Sequence, residues 1–290
     1  MKLLLTENVE VRIVRLDVRH FYESIDRQHI LAKLIDDARL SYHSLMLLKS
    51  LFNDPTIAAG TGLPRGLGIS AVLSELYMKY FDLDFKKIEG VYYYARFVDD
   101  IIVFCSSEAS KEIAWKYAGD ELTKIGLQLN EEKSYSLNPN QHGAEFTYLG
   151  YTFKKTGNRL NVTIAQKKLN VIKTRLTRSF VRFSKDHDFT LLKLRIKFLT
   201  GNFTLYNPHT LLPIKVRIYF NYKKANNLAA LKDLDAYYQR LLHCRTGRLG
   251  GAIALTKAHV KELEKYSFDF GYYHHETSAK PTISQFSPIH

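Results

Sequence analysis

Two adjacent aspartates, Asp99 and Asp100, lie between two runs of aromatic and β-branched residues at 92–98 and 101–104. Each run has the composition of a strand, so the stretch predicts a β-hairpin with both carboxylates side by side at its tip. A Val-Asp-Asp turn is also common on protein surfaces. However, two like charges this close repel each other, and a bound cation would neutralise them. The pair therefore predicts a third carboxylate nearby and a divalent metal ion.

Asp17 is the candidate for that third carboxylate. Residues 11–18 alternate basic and apolar side chains and then become apolar, which predicts a strand that ends near Asp17, 82 residues before Asp99. Taken alone, Asp17 would be an ordinary aspartate at a strand end. Three carboxylates on one sheet edge can hold two divalent metals for phosphoryl transfer, one activating a 3′-hydroxyl and the other holding a triphosphate. Magnesium suits such hard oxygen ligands.

A glycine-rich segment lies between these aspartates. Residues 58–70 contain four glycines and a proline, which interrupt regular structure just before a predicted amphipathic helix at 69–85. Glycines let a flat ligand approach the backbone closely. The segment lacks the Gly-Lys-Ser/Thr ending of a P-loop, so that class of phosphate site is excluded.

The elements that would position these residues predict an α+β fold. Asp26 can cap the helix that follows it. The order of strand, helices, hairpin, helix and strand predicts an antiparallel sheet with helices on one face. The helices are predicted at 26–37, 41–52, 69–85 and 108–125, with a short strand after Gly126 and a strand or hairpin at 146–153.

The positive charge of the chain is concentrated in one segment. The formal charge is +13, and residues 154–200 alone hold thirteen lysines and arginines against two acidic residues. From Ile164 onward a helix is predicted with an apolar face for a core and a basic face for phosphates. Such a segment indicates a polyanion partner, although a merely soluble basic surface has the same composition. The candidate backbone-binding residues are Lys168, Arg175, Arg178, Arg182 and Lys185.

The remaining composition is that of a globular protein, with 46% hydrophobic residues. No apolar run reaches the length of about 18 residues that a membrane span needs, so no membrane partner is expected. Two cysteines form neither a disulfide framework nor a zinc pattern, and a cytoplasmic location is expected. Further helices are predicted near 188–200 and 228–243, and a loose polar tail at 271–290.

Five segments resemble, in order, the motifs of reverse transcriptases, in particular those of bacterial retrons, group II introns and antiphage defence systems. Asp17-Val18-Arg19-His20-Phe21-Tyr22 resembles the first palm motif, an aspartate followed by two aromatics. Arg96-Phe97-Val98-Asp99-Asp100 resembles the Arg-Tyr-x-Asp-Asp motif. Gly62-Leu63-Pro64-Arg65-Gly66 is similar to the Gly-x-Pro-Gln-Gly loop, residues 126–133 to a motif that a lysine closes, and Tyr148-Leu149-Gly150-Tyr151 to the primer grip.

The resemblance implies a polymerase palm followed by a mainly helical thumb and C-terminal region. It implies that Asp17, Asp99 and Asp100 bind two Mg²⁺ ions, or Mn²⁺ in their place, with the Val18 carbonyl as a further ligand. The reaction would be RNA-directed DNA synthesis, which transfers a nucleotide from a dNTP to a primer 3′-hydroxyl. The similarity to defence-associated members, which extends to residues 195–222, implies a role in bacterial antiviral defence.

The resemblance also assigns binding roles. Tyr22 would be the steric gate that rejects the 2′-hydroxyl of an NTP, and the basic helix would be a thumb that tracks the duplex backbone without reading bases. The implied partners are an RNA template, a DNA product and dNTPs, with a non-coding RNA or a second polymerase chain as further candidates. The nucleotide-binding residues would be Phe21, Tyr22, Arg65, Gly66 and Lys133, and the primer grip would be Tyr148, Leu149, Gly150 and Tyr151.

Two departures from the family pattern leave alternatives open. Only 16 residues precede Asp17, where a fingers region is usual, and Arg65 stands where glutamine is usual. The expected domains are therefore a palm at 1–153 with fingers largely absent, a basic thumb at 154–200 and a C-terminal helical extension with a polar tail at 201–290. The alternatives are a template-independent or protein-primed DNA polymerase, and a non-catalytic nucleic-acid-binding subunit of a polymerase complex.

Overall fold

The protein consists of two units, which the chain forms largely one after the other. The computed structural model describes residues 1–7, 9–38, 40–58, 62–206 and 212–279. The N-terminal unit comprises residues 1–144 and 155–159, and the C-terminal unit comprises residues 145–154 and 160–290. The predicted domain boundaries after residues 153 and 200 stay predictions.

The described residues of the N-terminal unit form helices packed on a sheet. The helices are α1 (Lys2–Thr6), α2 (Phe21–Ser24), α3 (Arg27–Asp36), α4 (Tyr42–Asn53), α5 (Pro55–Ala58), α6 (Gly68–Phe85) and α7 (Glu108–Lys124). The strands are β1 (Arg12–Arg19), β2 (Val91–Phe97), β3 (Asp100–Cys105), β4 (Gln128–Leu129) and β5 (Tyr135–Leu137).

β1 is the central strand of this sheet. It pairs antiparallel with β3, from Arg12 opposite Cys105 to Asp17 opposite Asp100. On its other edge it pairs with β5 and then with β4, also antiparallel. The order is β2-β3-β1-β4, with β5 beside β1. The predicted antiparallel sheet and its hairpin are confirmed.

Side chains of β1 alternate between a buried core and the opposite face of the sheet. Val14, Leu16 and Val18 join a core to which the helices α3, α4, α6 and α7 also contribute. The intervening positions, Arg15 and Asp17, therefore lie on the other face. The core thus fixes the strand register, because a slip of one residue would bury both charged side chains.

The local signals for the helices hold in the structure. Asp26 caps α3, since its carboxylate accepts hydrogen bonds from the backbone N–H groups of Gln28 and His29. α7 begins with a capping box between Ser107 and Ser110. The predicted helix at 69–85 is confirmed with one more residue at its start, since it spans Gly68–Phe85. Of the glycine-rich segment, residues 59–61 lie outside the described residues.

The C-terminal unit contains both helices and small sheets in its described residues. The helices are α8 (Gln166–Asp186), α9 (Phe189–Thr200), α10 (Ile218–Tyr222), α11 (Ala229–Leu242), α12 (Gly247–Ile253), α13 (Lys257–Leu263) and α14 (Phe268–Tyr273). The strands are β6 (Glu145–Tyr148), β7 (Tyr151–Thr156), β8 (Arg159–Ile164), β9 (Asn202–Tyr206), β10 (Pro213–Arg217) and β11 (Thr277–Ala279).

α8 has the two faces that the sequence predicts. Its apolar face is buried against residues of α9, α11 and the helices that follow them. Four of its basic candidates, all but Arg175, are exposed, and Arg175 is partly buried. The buried positions are Leu169, Ile172, Leu176, Phe180 and Phe183.

The end of the chain differs from the expectation. The loose tail predicted from residue 271 is wrong for the described residues, because 271–273 continue α14 and 277–279 form β11. β11 pairs parallel with β9, from Thr277 opposite Asn202 to Ala279 opposite Thr204. Residues 280–290 lie outside the described part. β9 and β10 also add strands to a region expected to be helical.

No helix among the described residues combines the length and apolar character that crossing a membrane requires.

Candidate active site

The sheet register brings the three predicted metal-binding aspartates together. Asp17 and Asp100 are directly opposite each other on β1 and β3, so their side chains lie on the same face. Asp99 occupies the two-residue turn between Phe97 and Asp100. The Val18 N–H donates a 3.0 Å hydrogen bond to the Asp99 carbonyl, which ties the turn to β1. The hairpin tip is therefore fixed beside Asp17.

The turn itself has an unusual backbone. Val98 has a φ of +59°, which is rare for a β-branched residue and costs conformational energy. The Val98 carbonyl accepts a 3.1 Å hydrogen bond from Nη1 of Arg96. A strained residue immediately before Asp99, held by a side chain from the same strand, indicates that the position of Asp99 depends on Arg96.

Arg96 is the important residue to which sequence reasoning gave no role. Only 2% of its side chain is exposed. It contacts both carboxylate oxygens of Asp82, at 2.8 and 2.6 Å, and both of Glu75, at 3.0 and 2.8 Å. Burial opposes its charge, but these carboxylates outweigh burial and raise the pKa of Arg96. The signal was an arginine inside an aromatic strand, three residues before Asp99.

Asp100 is held by a second arginine. Arg15 forms a fork with it, with Nε to Oδ1 and Nη2 to Oδ2 both at 3.1 Å. The side chains are 21% and 17% exposed. Burial raises the pKa of Asp100, the charge of Arg15 opposes this shift, and Asp99 and Asp17 add to it. Sequence reasoning missed this contact, although Arg15 lies two residues before Asp17 and thus on the same face.

The segment after β4 fixes the backbone of Asp17. The Asp17 N–H donates to the Ser134 hydroxyl at 3.1 Å, and the Asp17 carbonyl accepts from the Asn130 N–H at 2.8 Å. Lys133, predicted to bind the nucleotide, places its ammonium 3.5 Å from Asp17 Oδ1. The segment 130–134 therefore holds Asp17, the first of the predicted metal ligands, in place.

A polar cleft of about 700 Å³ opens beside these residues and is called the aspartate cleft below. Its walls combine carboxylates with cationic side chains, a mixture suited to a metal-bound polyphosphate. Asp100, Tyr22 and Gly66 do not line it. Its lining residues are Asp17, Val18, Arg19, His20, Phe21, Arg65, Asp99, Lys133 and the segment 128–132.

The glycine loop is tied to the first palm motif. The Leu63 N–H donates a 2.7 Å hydrogen bond to the Tyr22 carbonyl. Gly62 has a φ of +71°, and a Cβ there would lie 2.1 Å from that carbonyl oxygen, so glycine is required. Arg65 forms a fork with Glu23 through Nη2–Oε2 at 3.0 Å and Nε–Oε1, and this hydrogen bonding lowers the pKa of Glu23.

Arg65, which stands where the family usually has glutamine, has Glu23 as its ion-pair partner. An arginine replaces the usual glutamine where Glu23, the residue directly after the first motif, can hold it. Tyr22 is partly buried, packs edge-on against Phe21 at 5.4 Å and contacts the core. Its predicted role as steric gate stays a prediction.

The predicted primer grip is a tight turn in the C-terminal unit. Leu149 and Gly150 connect β6 and β7 and both have positive φ, +47° and +84°, as the hairpin turn of type I′ requires. A Cβ on Gly150 would lie 3.0 Å from the side chain of Lys168, so that lysine covers the turn. The Tyr151 hydroxyl donates to the Asn221 carbonyl at 2.6 Å.

The basic candidates of α8 differ in their surroundings. Arg182 lies 3.4 Å from Asp186. Arg217, which was not predicted, has its guanidinium 3.3 Å from the centre of the Phe198 ring. Burial and the nearby charge of Arg175 lower the pKa of Arg217 to about 10. Like charges in this cluster indicate a surface that an anion would stabilise.

The aspartate cleft is lined by oxygen ligands of the kind that a hard divalent cation prefers. Asp17 and Asp99 offer carboxylates, and Val18 lines the same cleft. Yet, in the part of the chain that the structure describes, no group of three or more His, Cys, Asp and Glu side chains is arranged to hold a metal ion. In this structure Asp100 is engaged by the fork from Arg15. Two carboxylates are available, and a third is held by an arginine.

Comparison with known proteins gives the family. The sequence profile described as "Reverse transcriptase (RNA-dependent DNA polymerase)" matches residues 5–153. No curated protein sequence matches the chain. Apo telomerase from Candida tropicalis is 16% identical, with a TM-score of 0.44, over 67% of this chain and 37% of that chain. The telomerase from Candida tropicalis in complex with a TWJ fragment of telomeric RNA is 13% identical, with a TM-score of 0.44, over 92% of this chain and 45% of that chain. Telomerase from Candida albicans in complex with a TWJ fragment of telomeric RNA is 11% identical, with a TM-score of 0.39, over 89% of this chain and 51% of that chain.

The chain spans between 37% and 51% of the length of these telomerase structures. The family match covers just over half of this chain and includes every motif residue of the aspartate cleft. It confirms the predicted α+β polymerase palm, and the family generally uses divalent metal ions. The chain therefore belongs to the reverse transcriptase family, which comprises RNA-directed DNA polymerases and hence nucleotidyltransferases.

Proposed function

We propose that this chain supplies the palm and thumb of an RNA-directed DNA polymerase that transfers a nucleotide from a dNTP to a primer 3′-hydroxyl. The observation that carries the proposal is the aspartate cleft, where Asp17 and Asp99 face the same space as Arg65 and Lys133. Carboxylates can hold divalent cations, and the two cationic side chains can bind the oxygens of a triphosphate.

The cofactor in this proposal is a pair of Mg²⁺ ions, with Mn²⁺ as the alternative. Asp17, Asp99 and the Val18 carbonyl would hold them, together with Asp100 when it is free of Arg15. When bound, the metals would activate the 3′-hydroxyl and stabilise the leaving pyrophosphate. The chain itself positions the ligands: the Asp17 N–H donates to the Ser134 hydroxyl, and the Asp17 carbonyl accepts from the Asn130 N–H, which fixes the backbone of Asp17.

The same cleft would position the nucleotide. Arg65 is held by Glu23 and Lys133 lies beside Asp17, so both cations are oriented before the triphosphate arrives. Phe21 lines the cleft, and Tyr22 packs on it edge-on, which is consistent with a sugar-discriminating role for Tyr22. Gly66 has a φ of +87° and open space around its Cα, so a base could approach its backbone.

The C-terminal unit would bind the nucleic acid. The exposed cations of α8 would contact phosphates of an RNA template paired with its DNA product, and the turn at Leu149–Gly150 would hold the primer end. A non-coding RNA and a second polymerase chain are the further partners that we consider. The cytoplasmic location and the role in bacterial antiviral defence stay hypotheses from the sequence.

Primer extension tests the function directly. The reaction would contain an RNA template, a DNA primer, dNTPs and MgCl₂, with one lane lacking template. Asp99→Asn removes one predicted metal ligand, and Asp120→Asn, which changes an exposed carboxylate on α7, is the matched control. We expect template-dependent product with the wild type and Asp120→Asn, and none with Asp99→Asn.

Each other outcome favours a different function. Equal amounts of product with and without template would favour the template-independent or protein-primed polymerase. Tight nucleic-acid binding with no product under any condition would favour the non-catalytic subunit. Equal extension by the wild type and Asp99→Asn would refute the metal role of Asp99.

A further inference from the structure

Arg15 and Asp100 form an ion pair inside the predicted metal-binding set. We propose that Arg15 is a built-in competitor for the divalent metal ion at Asp100, so that a metal gains this carboxylate only when the pair opens. The inference deepens the proposed function and rests on it, because it takes Asp100 as a metal ligand.

The geometry makes the pair and the metal alternatives. The fork from Arg15 engages both Asp100 oxygens, each at 3.1 Å. Mg²⁺ binds carboxylate oxygens at about 2.0–2.1 Å in a nearly octahedral shell. A dication at that distance from Asp100 would lie against a guanidinium that the fork holds in place, and like charges at such separations repel strongly away from bulk water. The two cations therefore compete for Asp100.

The position of Arg15 follows from the sheet. Arg15 and Asp17 lie on the same face of β1, two residues apart, and Asp17 is opposite Asp100. Arg15 is thus the diagonal neighbour of Asp100 across β1 and β3, within reach of a long side chain. No loop movement is needed to form the pair, so it is the resting arrangement of this face.

The balance of charge favours an exchange of cations. Without metal, Asp17 and Asp100 lie opposite each other with Asp99 in the adjacent turn, and Arg15 and Lys133 supply positive charge to Asp100 and Asp17. A divalent cation neutralises the same carboxylates and makes Arg15 dispensable. Arg15 also lies over the Tyr135 ring, 5.9 Å from its centre, and its side chain is partly exposed. It can therefore leave Asp100 without becoming buried and unpaired.

This competition lowers the apparent metal affinity, because the apparent dissociation constant is the intrinsic one divided by the fraction of molecules with the pair open. Removing the guanidinium should therefore tighten metal binding. We expect a decrease of the dissociation constant on the order of tenfold, within the usual range for two coupled sites. The gain must require Asp100, since Asp100 is the group released.

Calorimetric titration with MnCl₂, without nucleotide or nucleic acid, tests the proposal on the full chain. The test variant is Arg15→Gln, and Arg15→Lys keeps the charge but cannot form the fork. Arg12→Gln is the matched control: Arg12 is also on β1, is 19% exposed and pairs with Glu10 and Glu108. It lies five residues from Asp17, about 16 Å along the strand.

We expect Arg15→Gln to bind Mn²⁺ about tenfold more tightly than the wild type, with Arg15→Lys intermediate and Arg12→Gln unchanged. The gain should disappear in the double variant Arg15→Gln/Asp100→Asn. A second readout guards against misfolding: without metal, Arg15→Gln should have a lower Tm, and MnCl₂ should raise that Tm by more than it raises the wild-type Tm.

The outcomes separate this inference from the proposed function. If the wild type binds Mn²⁺, Asp99→Asn abolishes that binding and Arg15→Gln binds no better, the metal site stands and the competition is refuted. If neither the wild type nor Arg15→Gln binds Mn²⁺, the metal site and the competition both fail. A gain that persists without Asp100 would also overturn the proposal.

Discussion

Arg96 offers the sharpest test of how the hairpin of β2 and β3, which carries Asp99 and Asp100, is held in place. Its guanidinium joins Asp82 and Glu75 to the carbonyl of Val98, the strained residue before Asp99. Arg96→Met keeps the apolar volume and removes every one of these hydrogen bonds. Arg96→Lys keeps the charge but cannot contact all three partners at once.

The size of the effect follows from burial. Removing one partner of a buried ion pair costs about 3–5 kcal/mol, and the Asp82 contact is of this kind. The Glu75 contact is exposed on its acidic side and adds about 0–1 kcal/mol. We expect Arg96→Met to lose about 3–5 kcal/mol of unfolding free energy. Arg96→Lys should lose about 1.5–3 kcal/mol, the range for one hydrogen bond to a charged group.

Urea unfolding followed by tryptophan fluorescence measures the loss of unfolding free energy in the N-terminal unit, to which Arg96 belongs. The chain has one tryptophan, Trp115 on α7, which packs against the core of the N-terminal unit. Glu75→Gln is the matched control, since it removes only the exposed partner. An unfolding free energy for Arg96→Met within about 0.5 kcal/mol of the wild type would refute the reasoning, because exposed positions show changes of that size.

Two further predictions concern the C-terminal unit. Arg195 is only 1% exposed, and its Nε and Nη2 have no hydrogen-bond partner among the described residues. Arg195→Met should therefore raise the unfolding free energy by about 1–4 kcal/mol. A lower Tm by circular dichroism would contradict this prediction. Changing Arg175, Arg178 and Arg182 to glutamate should weaken duplex binding and make the slope of the logarithm of the binding constant against the logarithm of the salt concentration shallower by about 2–3. An unchanged slope, measured by fluorescence anisotropy, would show that α8 does not contact the duplex backbone.

Residue type and spacing were enough to predict the aspartates and the elements that carry them. Asp17 belongs to a strand with an alternating pattern, although that strand continues to Arg19 and does not end at Asp17, and Asp99 and Asp100 interrupt two apolar runs. The antiparallel pairing of β1 and β3 could then be expected, but its register could not. The register decides that Asp17 lies opposite Asp100 and not one residue away.

The contacts that sequence reasoning missed are long-range. Arg96 contacts Asp82, 14 residues earlier, and Arg15 contacts Asp100, 85 residues later. The strand β11 pairs with β9 across more than 70 residues, so its polar sequence gave no local strand signal. Local propensity and periodicity carry no information about such partners, which depend on the assembled sheet.

The two arginines divide the control of the hairpin between them. Arg96 uses carboxylates outside the predicted metal-binding set, so its ion pairs could persist while a metal binds and keep Asp99 in position. Arg15 uses a carboxylate inside that set, so its ion pair must break for Asp100 to bind a metal. Loss of Arg96 should therefore weaken folding and metal binding together, whereas loss of Arg15 should weaken folding without metal and strengthen metal binding. Opposite signs for metal affinity in the two variants would distinguish a scaffold from a competitor, and equal signs would place both arginines in the scaffold.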